Sequence, residues 1–145
     1  MVKTGVLNRC AAVLVVVGFF SGLGGVASGD WRGKPSLADL VSAGQGLPVP
    51  AQPVKVRAFS KFTYMAQTKE AVSPQSLIEL QDYYKSLAAD NEWSLKEDRK
   101  TRHGVVLSFC SGKFSRVIEM TGSQPVRLDV STYWTSSRSS DWYCR

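Results

Sequence analysis

The amino-acid sequence predicts a small α+β domain in which one main helix packs on one face of an antiparallel sheet of four to five strands. One segment with helical periodicity lies between residues 73 and 91. Short segments of alternating apolar and polar residues lie on both sides of it, and turn residues separate them. The predicted order is β-α-β-β-β-β, because a helix laid across one face of such a sheet buries the apolar side of both.

Residues 1–27 have the pattern of a secretory signal peptide. The basic residues Lys3 and Arg9 precede an apolar stretch, and small residues follow it up to Ala27. The alternative is an uncleaved N-terminal anchor, because the uncharged run over residues 10–29 has nearly the length that spans a bilayer. The pattern favours cleavage, and with it a secreted protein of the periplasm or the extracellular space that keeps no stable membrane span.

Residues 28–53 are predicted to form a connector rich in proline and glycine. Ser36 can cap a possible short helix over residues 37–43. The prolines between residues 48 and 53 lie too close together for a helix or a central strand. The single α+β domain is therefore expected to occupy residues 54–145.

The first strand of that domain is predicted over residues 54–66, and residues 67–72 are predicted to be a loop. Apolar and basic side chains alternate in this strand, so that one side is expected to face the core and the other to face water. The expected core side consists of Val54, Val56, Ala58, Phe62 and Tyr64, and the expected polar side of Lys55, Arg57, Lys61 and Thr63.

The main helix is predicted over residues 73–91. Ser73 is expected to cap its N-terminus, Pro74 suits the first helical position, and Asn91 is expected to end the helix in a left-handed conformation. Its expected buried face recurs at helical spacing and consists of Leu77, Leu80, Tyr84, Leu87 and Ala88.

Four further strands are predicted over residues 92–100, 105–110, 114–121 and 126–134, joined by short turns as a meander. The last of them has the clearest alternation. Its expected core residues are Val126, Leu128, Val130, Thr132 and Trp134.

Cys110 and Cys144 are predicted to form a disulfide bond. Cys10 would leave with the signal peptide, and an even pair of cysteines in an exported chain favours a bond. The alternative is two separate thiols, one in a strand and one in the C-terminal tail.

Charge and motifs exclude several classes of function. The chain has 18 basic and 12 acidic residues, and removal of Lys3 and Arg9 leaves 18 − 2 = 16 basic residues and a net charge of +4. This mild charge does not favour nucleic acid as a partner. The sequence contains neither Cys-x-x-Cys nor His-x-x-x-His, and it has no EF-hand spacing. It therefore predicts no metal and no cofactor.

A basic and aromatic surface is the main candidate for binding. Two neighbouring hairpins are expected to bring together several cations, and the C-terminal tail adds aromatic rings. The candidate binding residues are Lys96, Arg99, Lys100, Arg102, Trp142 and Tyr143, with Lys113 and Arg116 as neighbours. The leading hypothesis is an exported, non-catalytic domain that binds a protein or an anionic envelope polymer.

Two alternatives belong to other classes. A small secreted hydrolase would use His103, the only histidine, with Asp98 or Asp129. No Gly-x-Ser-x-Gly stretch is present to expose a serine nucleophile, however. A structural subunit of an envelope assembly is the other alternative, and the sequence leaves the oligomeric state open.

Overall fold

The computed structural model describes residues 33–144, so the predicted signal peptide or anchor lies outside the described residues. Every helix and strand named below belongs to one compact unit, Leu37–Arg145. Within the described residues no helix is both long and apolar enough to cross a membrane.

The described part of the chain has two helices and six strands, which confirms the α+β class. The sheet is larger than the four to five strands predicted, and the possible short helix over residues 37–43 is present as Leu37–Gln45. In chain order the elements are α1 (Leu37–Gln45), β1 (Pro53–Lys61), β2 (Tyr64–Ser73), α2 (Leu77–Asp90), β3 (Ser94–Lys100), β4 (Gly104–Ser111), β5 (Phe114–Thr121) and β6 (Val126–Thr135).

All six strands form one antiparallel sheet in the order β1-β2-β6-β5-β4-β3. The predicted meander is confirmed as β3 to β6. Strand β6 then pairs along its length with β2, from Tyr64 opposite Thr135 to Ser73 opposite Val126. The β1–β2 hairpin therefore extends the sheet beyond β6, and β1 and β3 are its two edge strands.

The prediction of one strand over residues 54–66 followed by a loop over 67–72 was wrong. The chain turns at Phe62 and Thr63, and residues 67–72 lie inside β2. Neighbouring strands engage two polar side chains of β2: the Thr68 and Ser131 hydroxyls form a 2.8 Å hydrogen bond, and Glu70 forms ion pairs with Arg57 and Arg127. A central strand can therefore be polar.

The predicted core side of the first strand was also wrong in part. Val54, Val56 and Phe62 are 73%, 55% and 65% exposed. The helices pack on the other five strands, α1 on β2, β5 and β6 and α2 on β3 and β4, and β1 is exposed along its whole length. Its apolar side chains have no layer above them.

Helix α2 begins later than predicted, with Ser76 and not Ser73 as its N-cap. The Ser76 backbone N–H donates to Glu79 Oε2 over 2.7 Å, and the Glu79 N–H donates to Ser76 Oγ over 3.3 Å. This reciprocal pair is a capping box. Ser73 is buried at the end of β2. The predicted left-handed end at Asn91 was wrong, since Asn91 has φ −114°. The next residue, Glu92, has φ 59° and is the left-handed one.

The core lies between the two helices and the face of the sheet that they cover. Leu80, Tyr84 and Ala88 of α2 pack with Leu107 and Ile118 of the sheet. The predicted core residues of the last strand are all buried, including Thr132. Leu40 of α1 packs with Met65 and Trp134, and Leu47 joins the main core cluster, so part of the predicted connector contributes to the core.

The predicted disulfide is confirmed, with 5.6 Å between the Cα atoms of Cys110 and Cys144. Cys110 alternates with the buried core residue Phe109, so the bond lies on the face opposite the helices. The Lys96 ammonium donates to the backbone carbonyls of Asp141 and, over 3.3 Å, of Tyr143. These contacts hold the C-terminal tail across that second face.

Candidate functional site

The structure separates the basic residues predicted to form one binding surface. Lys96 is engaged by the carbonyl groups of the tail, and Arg99 pairs with Glu97, with 2.8 Å between Nε and Oε1. Lys100 and Arg102 are exposed at the far end of β3. Lys96 therefore does not extend the cations of Lys100 and Arg102, because the carbonyl groups of the tail hold its ammonium.

The two aromatic residues of the tail have different surroundings. The Trp142 ring meets the Tyr133 ring edge-on, with 5.2 Å between centroids. Tyr143 is half-buried, and its carbonyl oxygen accepts the hydrogen bond from Lys96. Of the predicted binding set, the structure therefore brings Lys96 to Tyr143, whereas Trp142 belongs to an aromatic row.

The residues proposed for a hydrolase do not assemble. Asp98 lies on the helix-covered side, with 2.5 Å between its Oδ2 and Lys85 Nζ. Asp129 lies on the opposite face, 3.5 Å from Arg127. His103 is exposed in the turn between β3 and β4, where its carbonyl accepts from the Gly122 N–H. The hydrolase remains a prediction to which this arrangement adds no support.

Arg116, expected beside the surface cations, is instead completely buried. One guanidinium nitrogen donates to the Thr132 hydroxyl, and another donates to the Leu47 carbonyl over 2.5 Å. Glycine at position 44 permits this approach, because a Cβ there would lie 2.7 Å from the guanidinium. Arg116 thus joins β5 to β6 and to the chain that leaves α1, whose C-terminal end favours a cation.

Burial shifts the pKa values of Arg116 and of two groups that interact with its charge, Tyr84 and Lys69, and we call these three the Arg116 cluster. It lowers the pKa of Arg116 to about 10, so the side chain stays charged at neutral pH. Burial also raises the pKa of Tyr84, although the Arg116 charge acts in the opposite direction. The pKa of Lys69 is lowered by burial and then by the Arg116 charge. The Tyr84 hydroxyl and Arg116 Nε have no hydrogen-bond partner.

The surface that the sequence did not identify as a site runs along β1 and the first turn residue, and we call residues 53–62 the β1 surface. Phe59 is 46% exposed, in addition to Val54, Val56 and Phe62. The cations Lys55, Arg57 and Lys61 alternate with these side chains, and all three are exposed. The alternation was visible in the sequence, but it was assigned to a strand with one buried side.

A row of aromatic rings links the β1 surface to the C-terminal tail. Distances between ring centroids are 5.2 Å from Phe59 to Tyr64, 5.8 Å from Tyr64 to Tyr133 and 5.2 Å from Tyr133 to Trp142. Burial raises the pKa of Tyr64 to about 12. The row presents partly exposed apolar area beside the β1 cations, on the face of the sheet that the helices do not cover.

No group of three or more histidine, cysteine, aspartate or glutamate side chains in residues 33–144 is placed to hold a metal ion. No protein-family model matches the chain, and comparison with curated proteins and with solved structures found no significant match.

Proposed function

We propose that this protein is an exported, non-catalytic domain that binds an anionic protein partner through the β1 surface. One observation carries the proposal: β1 is a nine-residue strand exposed along its whole length, and it has cations but no carboxylate. Such a strand adds little to the core of its own chain, and it offers a partner both apolar and charged contacts.

The apolar part of the β1 surface is concentrated. Of the eight large hydrophobic side chains exposed in residues 33–144, four lie between Val54 and Phe62. Scattered apolar residues are normal on a protein surface, whereas these four are neighbours in one strand and its turn, with Phe59 on one face of the sheet and Val56 on the other. Burial of these side chains against a partner would supply binding free energy.

The charged part favours an anionic partner. Lys55, Arg57 and Lys61 lie on one face of β1. Arg57 forms an ion pair with Glu70 of β2, with 3.4 Å between Nη2 and Oε1. Complementary charge speeds association and selects among partners more than it adds affinity. The opposite edge strand, β3, fits an anionic partner less well, because Glu97 and Asp98 lie among its cations.

Export is supported by the leader pattern of residues 1–27 and by the disulfide bond. Disulfides persist in oxidising compartments and are rare in the cytosol. A partner of the same compartment, such as an acidic envelope protein, is the occupant consistent with both features.

The proposal is tested by chromatography on immobilised polyglutamate with two matched double variants. Lys55→Glu/Lys61→Glu changes the β1 surface and leaves the ion pair of Arg57 with Glu70 in place. Lys100→Glu/Arg102→Glu makes the same change in net charge at the opposite edge. We expect salt-sensitive retention of the wild type, its loss in the first variant and its persistence in the second.

Two results would contradict the proposal. If both variants weaken retention equally, net charge and not the β1 surface governs binding. Failure of the wild type to bind at low salt would show that the protein does not bind an anionic partner.

A further inference from the structure

We infer that the partner supplies an extended acidic segment that pairs with β1 and adds a seventh strand to the six-stranded sheet. This inference rests on the proposed function and names its partner class and binding mode. It depends on the backbone of β1, on the side chains at each face of that strand and on the charge that a second copy of the chain would bring.

The backbone of β1 is available along one side. The strand pairs only with β2, so about half of its N–H and C=O groups point outward from the sheet. Its register with β2 is regular from Lys55 to Lys61, and the only irregularity lies at the start, between Pro53 and Lys55. A regular edge of this length can accept another strand.

The other edge of the sheet carries the features that prevent such pairing. Strand β3 has an irregularity in its interior, between Leu95 and Glu97, and charged residues fill the strand from Lys96 to Lys100. The tail also contacts β3 through Lys96. Bulges, charges and covering segments are common protections of an edge strand. Strand β1 also carries cations and a proline, but its irregularity is confined to its start, so it keeps a regular edge from Lys55 to Lys61.

The side chains of β1 specify what the added strand carries. Lys55, Arg57, Phe59 and Lys61 lie on the face opposite the helices, as their register with β2 shows. Val56 and Ala58 lie on the other face. Opposite-charge pairs between neighbouring strands stabilise a sheet. An added strand that alternates acidic and apolar residues therefore complements both faces.

A second copy of this chain is a poorer occupant. In a two-fold antiparallel pairing of β1 with itself, centring at residue 58 sets Lys55 opposite Lys61, and centring at residue 57 sets Arg57 opposite itself. Centring at 56 or 59 sets Arg57 opposite Lys55 or Lys61. Like charges directly opposite each other destabilise a sheet, so the charge pattern favours an acidic partner over self-association.

The inference is tested by NMR titration of the ¹⁵N-labelled protein, expressed as the full chain and purified from the fraction to which the host delivers it. The probe is a blocked peptide of alternating glutamate and valine, about eight residues long as in an ordinary strand. One control peptide has lysine for glutamate. Another keeps the glutamates but has proline for valine, so that it keeps the charge and cannot pair as a strand.

We expect the glutamate–valine peptide alone to bind and to slow the exchange of every second backbone amide in Pro53–Lys61. Alternation is the signature of strand addition, because only the outward N–H groups gain partners. Lys55→Glu/Lys61→Glu is expected to weaken binding roughly tenfold, while Lys100→Glu/Arg102→Glu leaves it unchanged.

Equal binding of the proline peptide would overturn strand addition while leaving the anionic partner of the β1 surface in place. Equal binding of the lysine peptide would overturn the acidic specificity. Slow exchange of the outward β1 amides before any peptide is added would show that the edge is already covered. Light scattering would then show whether the protein is a dimer, with a second copy on the edge, or a monomer, with residues 1–32 of the same chain on the edge. Either result overturns the inference.

Discussion

At the scale of single residues, Arg116 stabilises the fold through neutral oxygens and not through a carboxylate. We predict that Arg116→Met lowers the free energy of unfolding by about 2 kcal/mol, because the buried Leu47 carbonyl and Thr132 hydroxyl lose their donor while the cost of burying a charge disappears. Urea unfolding measures the change. Hydrogen exchange should also rise in α1, which Arg116 helps to hold against the sheet.

Tyr84→Phe is the matched control in the same cluster. Its hydroxyl is buried without a hydrogen-bond partner, so its removal should leave stability unchanged or raise it by about 1 kcal/mol. A loss as large as that of Arg116→Met would mean that the hydroxyl does have a partner and that the two side chains work as one network.

Tyr64 and Tyr84 should make the protein less stable in alkali. Tyrosines of the unfolded chain ionise near pH 10, whereas the folded protein keeps the protons of Tyr64, with a pKa of about 12, and of Tyr84. Above about pH 10 the folded state therefore holds more tyrosine protons, and stability falls as the pH rises. Arg116 and Lys69 act in the opposite direction, because their pKa values are lowered on folding.

Urea unfolding at pH 9 to 12 checks this balance in the wild type and in Tyr64→Phe/Tyr84→Phe. Removal of both tyrosines takes away two groups that hold extra protons in the folded state, so the decline of stability with pH should become shallower. An unchanged downward slope in the double variant would show that other groups cause the alkaline loss.

At the scale of elements, the start of α2 depends on its capping box. We predict that Ser76→Ala destabilises the protein by about 1 kcal/mol, since a backbone N–H at the helix start loses its side-chain acceptor. Ser86→Ala, in the exposed middle of the same helix, should be neutral or slightly stabilising because alanine favours helix.

The same box should fail in acid. Hydrogen bonds from Ser76 lower the pKa of Glu79, so the carboxylate form stabilises the fold above its ordinary pKa of 4.5, and this stabilisation is lost as the pH falls through the folded value. The difference between wild type and Ser76→Ala, measured by urea unfolding, should therefore shrink in acid. A difference that stays constant with pH would show that the serine cap stabilises the helix independently of the charge on Glu79.

The sequence predicted elements well wherever the local pattern agrees with burial. Strand β6 has a core on one side, and its alternation is correspondingly clear. Strand β2 was missed because some of its polar residues are engaged by neighbours distant in sequence, such as Glu70 by Arg57 and Arg127. The helix start was misplaced at Ser73, although Ser76 followed by Glu79 is itself a capping-box signature.

The candidate site was harder to predict than the elements. The alternation of β1 is the same whether a layer covers one side of the strand or none, so the exposure of Val56 follows only from where the two helices pack. Arg116 was expected near the surface, because an isolated arginine between Ser115 and Val117 gives no sign of burial. The local sequence gives no information on the long-range packing that exposes Val56 and buries Arg116.

At the scale of the whole molecule, the two faces of the sheet are covered by different means. The helices cover one face with an apolar core, whereas the tail covers part of the other through the disulfide, Lys96 and the contact of Trp142 with Tyr133. The tail lacks a regular element of its own. Its position should therefore depend on the covalent bond more than on packing.

We predict that Cys110→Ala/Cys144→Ala lowers the free energy of unfolding by about 3 to 4 kcal/mol, since the bond closes a loop between residues 34 positions apart. The reduced wild type should unfold at the same urea concentration as this variant. Lys96→Met keeps the bond and removes only the exposed contacts, so its loss should stay below about 1 kcal/mol. If Lys96→Met is as harmful as loss of the bond, contacts of the tail and not chain entropy stabilise this face.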